Sequence, residues 1–244
     1  MAHVLITGSS SGLGSALAAR FETRGHRVTG TTYNHECQRD DQLLYDADDP
    51  QGPAKLVTTL MGWHLKAKGP IDLLINNAGT NAIRHFENLS LDFMEHVMRI
   101  NCHAPVMLVR ELLITQSFAK RPVIINIVSD AAWRPMRHSE AYCASKAAFD
   151  MATRQMAREL TKPHMLTVLG VRPGKMHSTG MSDYIDDQVM KLREWTAEEA
   201  KAYYAANSVT GLEADPAHVA RFIYELYDNP LVRTMSGACI DLVG

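Results

Sequence analysis

The sequence predicts a single α/β domain on a doubly wound, mostly parallel sheet of about seven strands, with helices on both faces. Three observations lead there. Short apolar runs alternate with helix-length amphipathic segments, a Gly/Ser-rich turn joins the first run to the first helical segment, and no repeat, low-complexity tract or Pro/Ser-rich linker divides the 244 residues. Strands separated by helical patterns of this length imply right-handed βαβ crossovers.

Each element has its own signal. Residues 3–7 (HVLIT) form a compact β-type run that ends in glycine and serine. Residues 13–24 then carry Leu13, Ala16, Leu17 and Phe21 at helical spacing. A second strand is predicted over 27–32, a weaker third over 43–45, a helix over 55–65 and a strand over 71–75. Residues 91–118 read as one long helix or two, followed by an apolar strand at 123–128, a helix over 140–160 and a strand at 166–171. Residues 172–215 carry no strand signal and are rich in Met, Tyr and charge; a stretch that long is expected to be functional, and 175–212 is read as a substrate lid.

Composition excludes several classes. Apolar residues make up 46% and charged residues 21%, ordinary for a globular chain with a sizeable core. Lys plus Arg number 25 against 27 Asp plus Glu, a net charge of −2, so nothing favours nucleic acid or an anionic membrane as partner. Cys37, Cys102, Cys143 and Cys239 lie far apart with no CxxC pair, which suits reduced thiols in a cytoplasmic protein. The first residues run straight into a strand without a signal-peptide pattern, and no 18-residue apolar segment is present. The eleven histidines are scattered without HxxxH or HExxH, so no metal site is expected.

The first turn reads Thr7-Gly8-Ser9-Ser10-Ser11-Gly12-Leu13-Gly14. Glycine is required where the backbone takes positive φ or must approach a ligand closely. Between a first strand and a first helix, such a turn aims N–H groups and a helix N-terminus at a pyrophosphate. Its G-x-x-x-G-x-G spacing differs from G-x-G-x-x-G. Further motifs follow in order: Asn76-Asn77-Ala78-Gly79 after the 71–75 strand, Asn101 inside the long helix, Ser129 closing the 123–128 strand, and Tyr142-Cys143-Ala144-Ser145-Lys146 thirteen residues later. Pro173-Gly174 follows the next strand, and Ser236-Gly237-Ala238-Cys239-Ile240 stands near the end. A YxxxK pair alone is weak, with about one chance occurrence expected in a chain this size. The ordered set resembles the short-chain dehydrogenase/reductase family over nearly the whole chain, and with it a single Rossmann-type domain.

The chemistry fits the residue types. Tyr142 and Lys146, four apart, share one face of a helix. A free tyrosine has a pKa of about 10, and a nearby ammonium favours the phenolate. The resemblance implies that Tyr142 is the general acid for carbonyl reduction and the base for alcohol oxidation. It implies that Ser129 bonds the substrate oxygen, that Lys146 bonds the nicotinamide ribose, and that Asn101 holds a water relaying protons from Lys146. The same resemblance places the cofactor on Gly8, Ser9, Ser10, Ser11, Gly12, Leu13, Gly14, Asn77, Ala78, Gly79, Pro173, Gly174, Met176 and Ser178, with Asp46 and Ala47 at the adenine. Three departures stand out: Asp130 where a small residue is common, Met176 where valine is usual, and Val243 where an aspartate is usual.

No carboxylate follows the second strand near Thr32, Tyr33 and Asn34, which removes the main obstacle to a 2′-phosphate. Ser9, Thr32 and Asn34 are candidates to hold it. NADP(H) is favoured, with NAD(H) the alternative. The loop after Ser129 offers Trp133 and Met136 as an apolar wall, and Arg134 and Arg137 for an anion. A small carbonyl or alcohol substrate is expected, with some likeness to 3-oxoacyl-carrier-protein reductases and a looser one to pteridine reductases. A homodimer or homotetramer follows from the family. A cofactor-binding regulatory protein with a silent site, or a scaffold, is the alternative from another class.

Overall fold

A computed structural model describes residues 1–33, 42–81 and 83–242. Asn34, Cys37 and Val243 lie outside them. The chain runs β1 (His3–Ile6), α1 (Gly12–Thr23), β2 (Arg27–Thr32), β3 (Gln42–Leu44), α2 (Gly52–Thr59), α3 (Leu65–Lys68) and β4 (Ile71–Asn76). It continues through α4 (Leu91–Met98), α5 (Ala104–Ile114), β5 (Phe118–Ile127), α6 (Glu140–His164), β6 (Thr167–Pro173), α7 (Gly180–Arg193), α8 (Ala197–Asn207), α9 (Pro216–Asp228) and β7 (Cys239–Leu242).

The seven strands form one parallel sheet in the order β3-β2-β1-β4-β5-β6-β7. The direction of winding reverses between β1 and β4, where open α/β sheets leave a crevice at the carboxyl ends of their strands. Side chains alternate across the sheet with period two. Leu5, Leu74, Ile124 and Val168 face one side and pack with Leu56, Leu108 and Phe149 from the helices there. Val4, Ile6, Leu73, Ile75, Val123, Ile125, Leu169 and Val171 face the other, against Leu17 and Phe21 of α1 and Ile223 of α9. Because both faces are covered, the strands read as continuous apolar runs.

Three sequence expectations need adjustment. The 91–118 segment is two helices joined by a π turn at Arg99–His103, and α5 stops at Ile114. Phe118 instead begins β5: it pairs with Ile71, and the register shifts before Leu73 meets Val123. The stretch after β6 holds α7 and α8, and an isolated parallel bridge pairs Met176 with Ala214 near its two ends.

A buried polar chain fixes α6 to the sheet. The Asn76 amide donates to Asn126 Oδ1 at 2.8 Å, the Asn126 amide to Thr153 Oγ1 at 2.9 Å, and Thr153 Oγ1 to the Phe149 carbonyl at 2.7 Å. Such buried bonds specify one docking of a helix, because breaking any of them strands a desolvated donor or acceptor. Farther along α6, Arg172 of β6 bonds Asp150 at 2.7 Å and Asp241 of β7 at 3.2 Å. The helix that carries Tyr142 and Lys146 is thus tied to β5 and β6, and through Asn126 to β4.

Candidate active site

The Gly/Ser turn leaves β1 at the reversal of winding. Gly8 and Gly12 have φ of 66° and 52°, where L side chains are strained. At Gly14 the reason is contact: a Cβ there would sit 2.0 Å from the Gly8 carbonyl and 2.6 Å from the Asn77 amide. Leu13 is buried against the sheet. Ser10 is half-buried and Ser11 exposed; Ser11 caps α1 in an extended conformation without a side-chain hydrogen bond. The first N–H groups of α1 are therefore left to an outside acceptor, the arrangement that receives a phosphate.

The neighbouring motif is stitched to this turn. Thr7 Oγ1 accepts from the backbone N–H of Asn77 and of Ala78, each at 3.0 Å, while Asn77 Nδ2 donates to the carbonyls of Thr7 and Gly8 at 3.0 Å. Gly79 carries the chain past the reactive centre, where a Cβ would lie 3.1 Å from Asn101 Oδ1 and 3.6 Å from Lys146 Nζ.

Four side chains converge here, each nearly inaccessible: Asn101 at 1%, Lys146 at 5%, Ser129 at 6% and Tyr142 at 8% exposure. Tyr142 and Lys146 come from one face of α6, Ser129 from the carboxyl end of β5, and Asn101 from the π turn. The π turn widens the helix by one residue, a feature frequent at functional sites. Asn101 accepts from Thr80 N at 2.8 Å and donates to Thr80 O at 2.9 Å and Ser145 Oγ at 3.0 Å. Lys146 Nζ donates to the Ile127 carbonyl at 3.0 Å and lies 5.8 Å from the centre of the Tyr142 ring. Tyr142 and Ser129 share a side-chain hydrogen bond.

Burial dominates the acid–base balance. It pushes Tyr142 up to about 12, against the pull of the Ser129 bond and with the Asp130 charge adding to the rise. Burial also brings Lys146 down to about 8. A lowering by the ammonium is the expectation from spacing; here desolvation of the phenolate dominates, and Lys146 is not among the main influences on it. Asp130 is buried too, its carboxyl raised by burial; it accepts from Ser129 Oγ at 3.2 Å, and Arg134 approaches it to 3.7 Å.

Other expected residues take different roles. The Ser9 hydroxyl, expected to hold a phosphate, is buried; it donates to Thr31 O at 3.3 Å and accepts from Gln42 at 3.1 Å. A Cβ on Gly30 would fall 2.1 Å from it, so Ser9 fills the space a side chain on Gly30 would take between β1 and β3. Thr32 is buried at the end of β2 and Tyr33 stands exposed beyond it. Asp46 is exposed and accepts from Asp48 N at 2.9 Å, with Ala47 buried beside it. Pro173 ends β6, Gly174 N donates to Leu242 O at 3.0 Å, and Met176 packs toward α1 and α9. Ser178 is exposed with φ 54°, bonded to His177 Nδ1 at 3.1 Å. Trp133 is 55% exposed, its indole N–H bonding Asp241 at 3.1 Å. Four residues that position the site escaped the sequence reading: Thr7, Thr80, Ser145 and Thr179. Thr179 caps α7 and stands beside Gly12, within 3.5 Å of where its Cβ would be; the Thr-Gly pair opening a helix-length segment was its signal.

The open α1 terminus and a buried ammonium bonded to the Ile127 carbonyl suit the pyrophosphate and ribose of a nicotinamide dinucleotide. Comparison with known proteins agrees. The model of the short chain dehydrogenase family matches residues 2–189, and the chain belongs to that family. A short-chain dehydrogenase/reductase, FrzI, from Cladobotryum sp is 29% identical over 91% of this chain and 88% of its own. A benzil reductase of Bacillus subtilis (strain 168) is 32% identical over 70% and 73%, and a D-erythrulose reductase of Gallus gallus is 30% identical over 70% of each chain. Among solved structures, an actinorhodin polyketide ketoreductase with NADPH superposes at a TM-score of 0.88, 23% identical, covering 100% of this chain and 96% of its own. The protein is an NAD(P)-dependent oxidoreductase acting on CH–OH and C=O groups.

Proposed function

We propose that the protein is an NADP(H)-dependent carbonyl reductase working through Tyr142. The bound nicotinamide supplies or accepts the hydride at the substrate carbon. Tyr142 gives its phenolic proton to the carbonyl oxygen during reduction and takes it back during alcohol oxidation. Ser129 donates to the same oxygen and stabilises the charge gathering there. Lys146 holds the ribose and, through Asn101, reaches the water that restores the proton. The observation that carries this reading is the burial of Tyr142, Lys146, Ser129 and Asn101 around one point. A tyrosine raised to about 12 is fully protonated at neutral pH, the form that reduction needs.

For the cofactor, the support is the exposed, uncharged Tyr33 beyond a strand end that carries no carboxylate at Thr32. We read the assembly as a homodimer or homotetramer and residues 175–212 as the lid over the substrate. The test is nicotinamide absorbance with NADPH and NADH against ketoses, diketones, ketoacyl thioesters and dihydropteridines. Tyr142→Phe is expected to lower kcat by about 10²–10⁴-fold while NADPH binding is kept. Full turnover in that variant would overturn the role of Tyr142, and tighter NADH than NADPH binding would overturn the cofactor assignment.

A further inference from the structure

A cleft of about 500 Å³ lies between three segments that lead away from the reactive centre. One wall is the loop following Gly79, with Arg84 and His85; another is the segment between Ser129 and Tyr142, with Arg137 and His138; the third is the end of α7, with Arg193 and then Trp195. Arg84 N donates to the His138 carbonyl at 2.9 Å, and the His85 and His138 rings meet edge to face at 4.8 Å, so the first two walls are joined. Glu140, also on the lining, opens α6 two residues before Tyr142. The walls thus belong to segments that run on from Gly79, Ser129 and Tyr142 of the candidate site, although none of its four converging side chains lines the cleft.

Its charge is unbalanced. Three arginines line it, and among the described residues none of their guanidinium groups lies within 4 Å of a carboxylate, although Glu87 and Glu140 are on the same lining. Aromatic rings hold two of the arginines instead. Arg84 lies 3.7 Å from the centre of the Phe93 ring, and Arg193 lies 4.6 Å from Trp195 and 4.7 Å from Tyr203. A ring face orients a guanidinium without cancelling its charge. Arg193 Nε is buried with no hydrogen-bond acceptor in the protein. A buried charged donor left so is costly unless a ligand satisfies it.

We infer that this cleft binds an anionic oxygen group, carboxylate or phosphate, on the small molecule whose carbonyl is reduced. The inference rests on the carbonyl-reductase reading above and names the substrate class. Planar guanidinium forks match both oxyanions in bidentate geometry, whereas a neutral polyol gains little from three cations. Arg134, the fourth arginine of the region, is turned to Asp130 and is not part of the set.

The experiment uses matched pairs: 4-oxopentanoate and its methyl ester, and dihydroxyacetone phosphate and dihydroxyacetone. Binding to the protein–NADPH complex is measured by calorimetry, and turnover by absorbance, for the wild type and for Arg84→Gln, Arg137→Gln and Arg193→Gln. An anion is expected to bind at least tenfold more tightly than its neutral partner. Each arginine variant should lose roughly tenfold for the anion and less than twofold for the neutral compound. Preference for one anion names the source as carboxylate or phosphate. Equal binding of neutral and charged partners, unchanged anion binding in the variants, or no binding of either anion would overturn the inference. The two readings separate cleanly. Tyr142-dependent turnover of neutral ketones without anion preference leaves the reductase standing and removes the cleft's role. Arginine-dependent anion binding to the free protein, with neither NADPH nor NADH bound, keeps the oxyanion site and removes the reductase.

Discussion

Asp130 bears on the chemistry through one charge. Its carboxylate accepts from Ser129 and adds to the rise of the Tyr142 phenol. A raised tyrosine pKa keeps the phenol protonated, so alcohol oxidation, which needs the phenolate, should climb with pH through the neutral and alkaline range. Asp130→Asn keeps the size and the acceptor but removes the charge. The alkaline limb of kcat/KM for oxidation should then move to lower pH, with reduction at pH 7 changed less than fivefold; a limb that stays in place would show that Asp130 does not act on Tyr142. At this scale the sequence was informative about identity and less about balance. The four-residue spacing put Tyr142 and Lys146 on one face, but whether charge or burial wins depends on how much protein covers them. Ser9 shows the same limit: a serine expected to meet a phosphate and a serine packed against Gly30 look alike in one dimension.

Among the elements, the phosphate turn is the most exposed to a single methyl group. Gly14→Ala would drive a Cβ to 2.0 Å from the Gly8 carbonyl, and backbone on backbone has no rotamer to yield. The turn must open, at a cost of roughly 1–3 kcal/mol, and NADPH affinity should fall at least tenfold. Thermal unfolding and NADPH fluorescence measure the two effects; wild-type values in both would contradict the packing described. The strands were legible because both faces of the sheet are covered and the runs are continuous. The start of β5 was not, because Ala119, Lys120, Arg121 and Pro122 separate Phe118 from the apolar run, and only its pairing with Ile71 makes it strand. The π turn at Arg99–His103 leaves the helical periodicity almost intact, so one extra residue goes unseen. The helices α7 and α8 did have a signal: Thr196 and Glu199 form a capping box, and Thr179 caps α7.

The whole molecule should answer to acid through His3. Its ring is enclosed by the sheet, bonded to the Gly69 carbonyl at 2.7 Å and to Thr29 Oγ1 at 2.9 Å. Burial holds its pKa down at about 4, with Gly69 as the main opposing influence. The folded value lies below the unfolded one, so the unfolded chain binds more protons between them. Stability is complete above about pH 6.5 and declines as pH falls toward 4, by roughly 2 kcal/mol at pH 5. For a chain of this size that is roughly 5 °C in Tm between pH 7 and 5. The slope should flatten in His3→Gln, and an unchanged slope would assign the acid sensitivity elsewhere. The link from Arg172 and Trp133 to Asp241 carries a consequence in time. On the ribosome β1, β2 and β3 emerge early, while β6 is made some seventy residues ahead of its edge partner β7. Until residue 241 leaves the exit tunnel, Arg172 lacks that carboxylate and the segment after Ser129 lacks its anchor. The nucleotide half of the crevice can thus be assembled co-translationally, and a nascent chain should bind dinucleotide before it can turn over substrate.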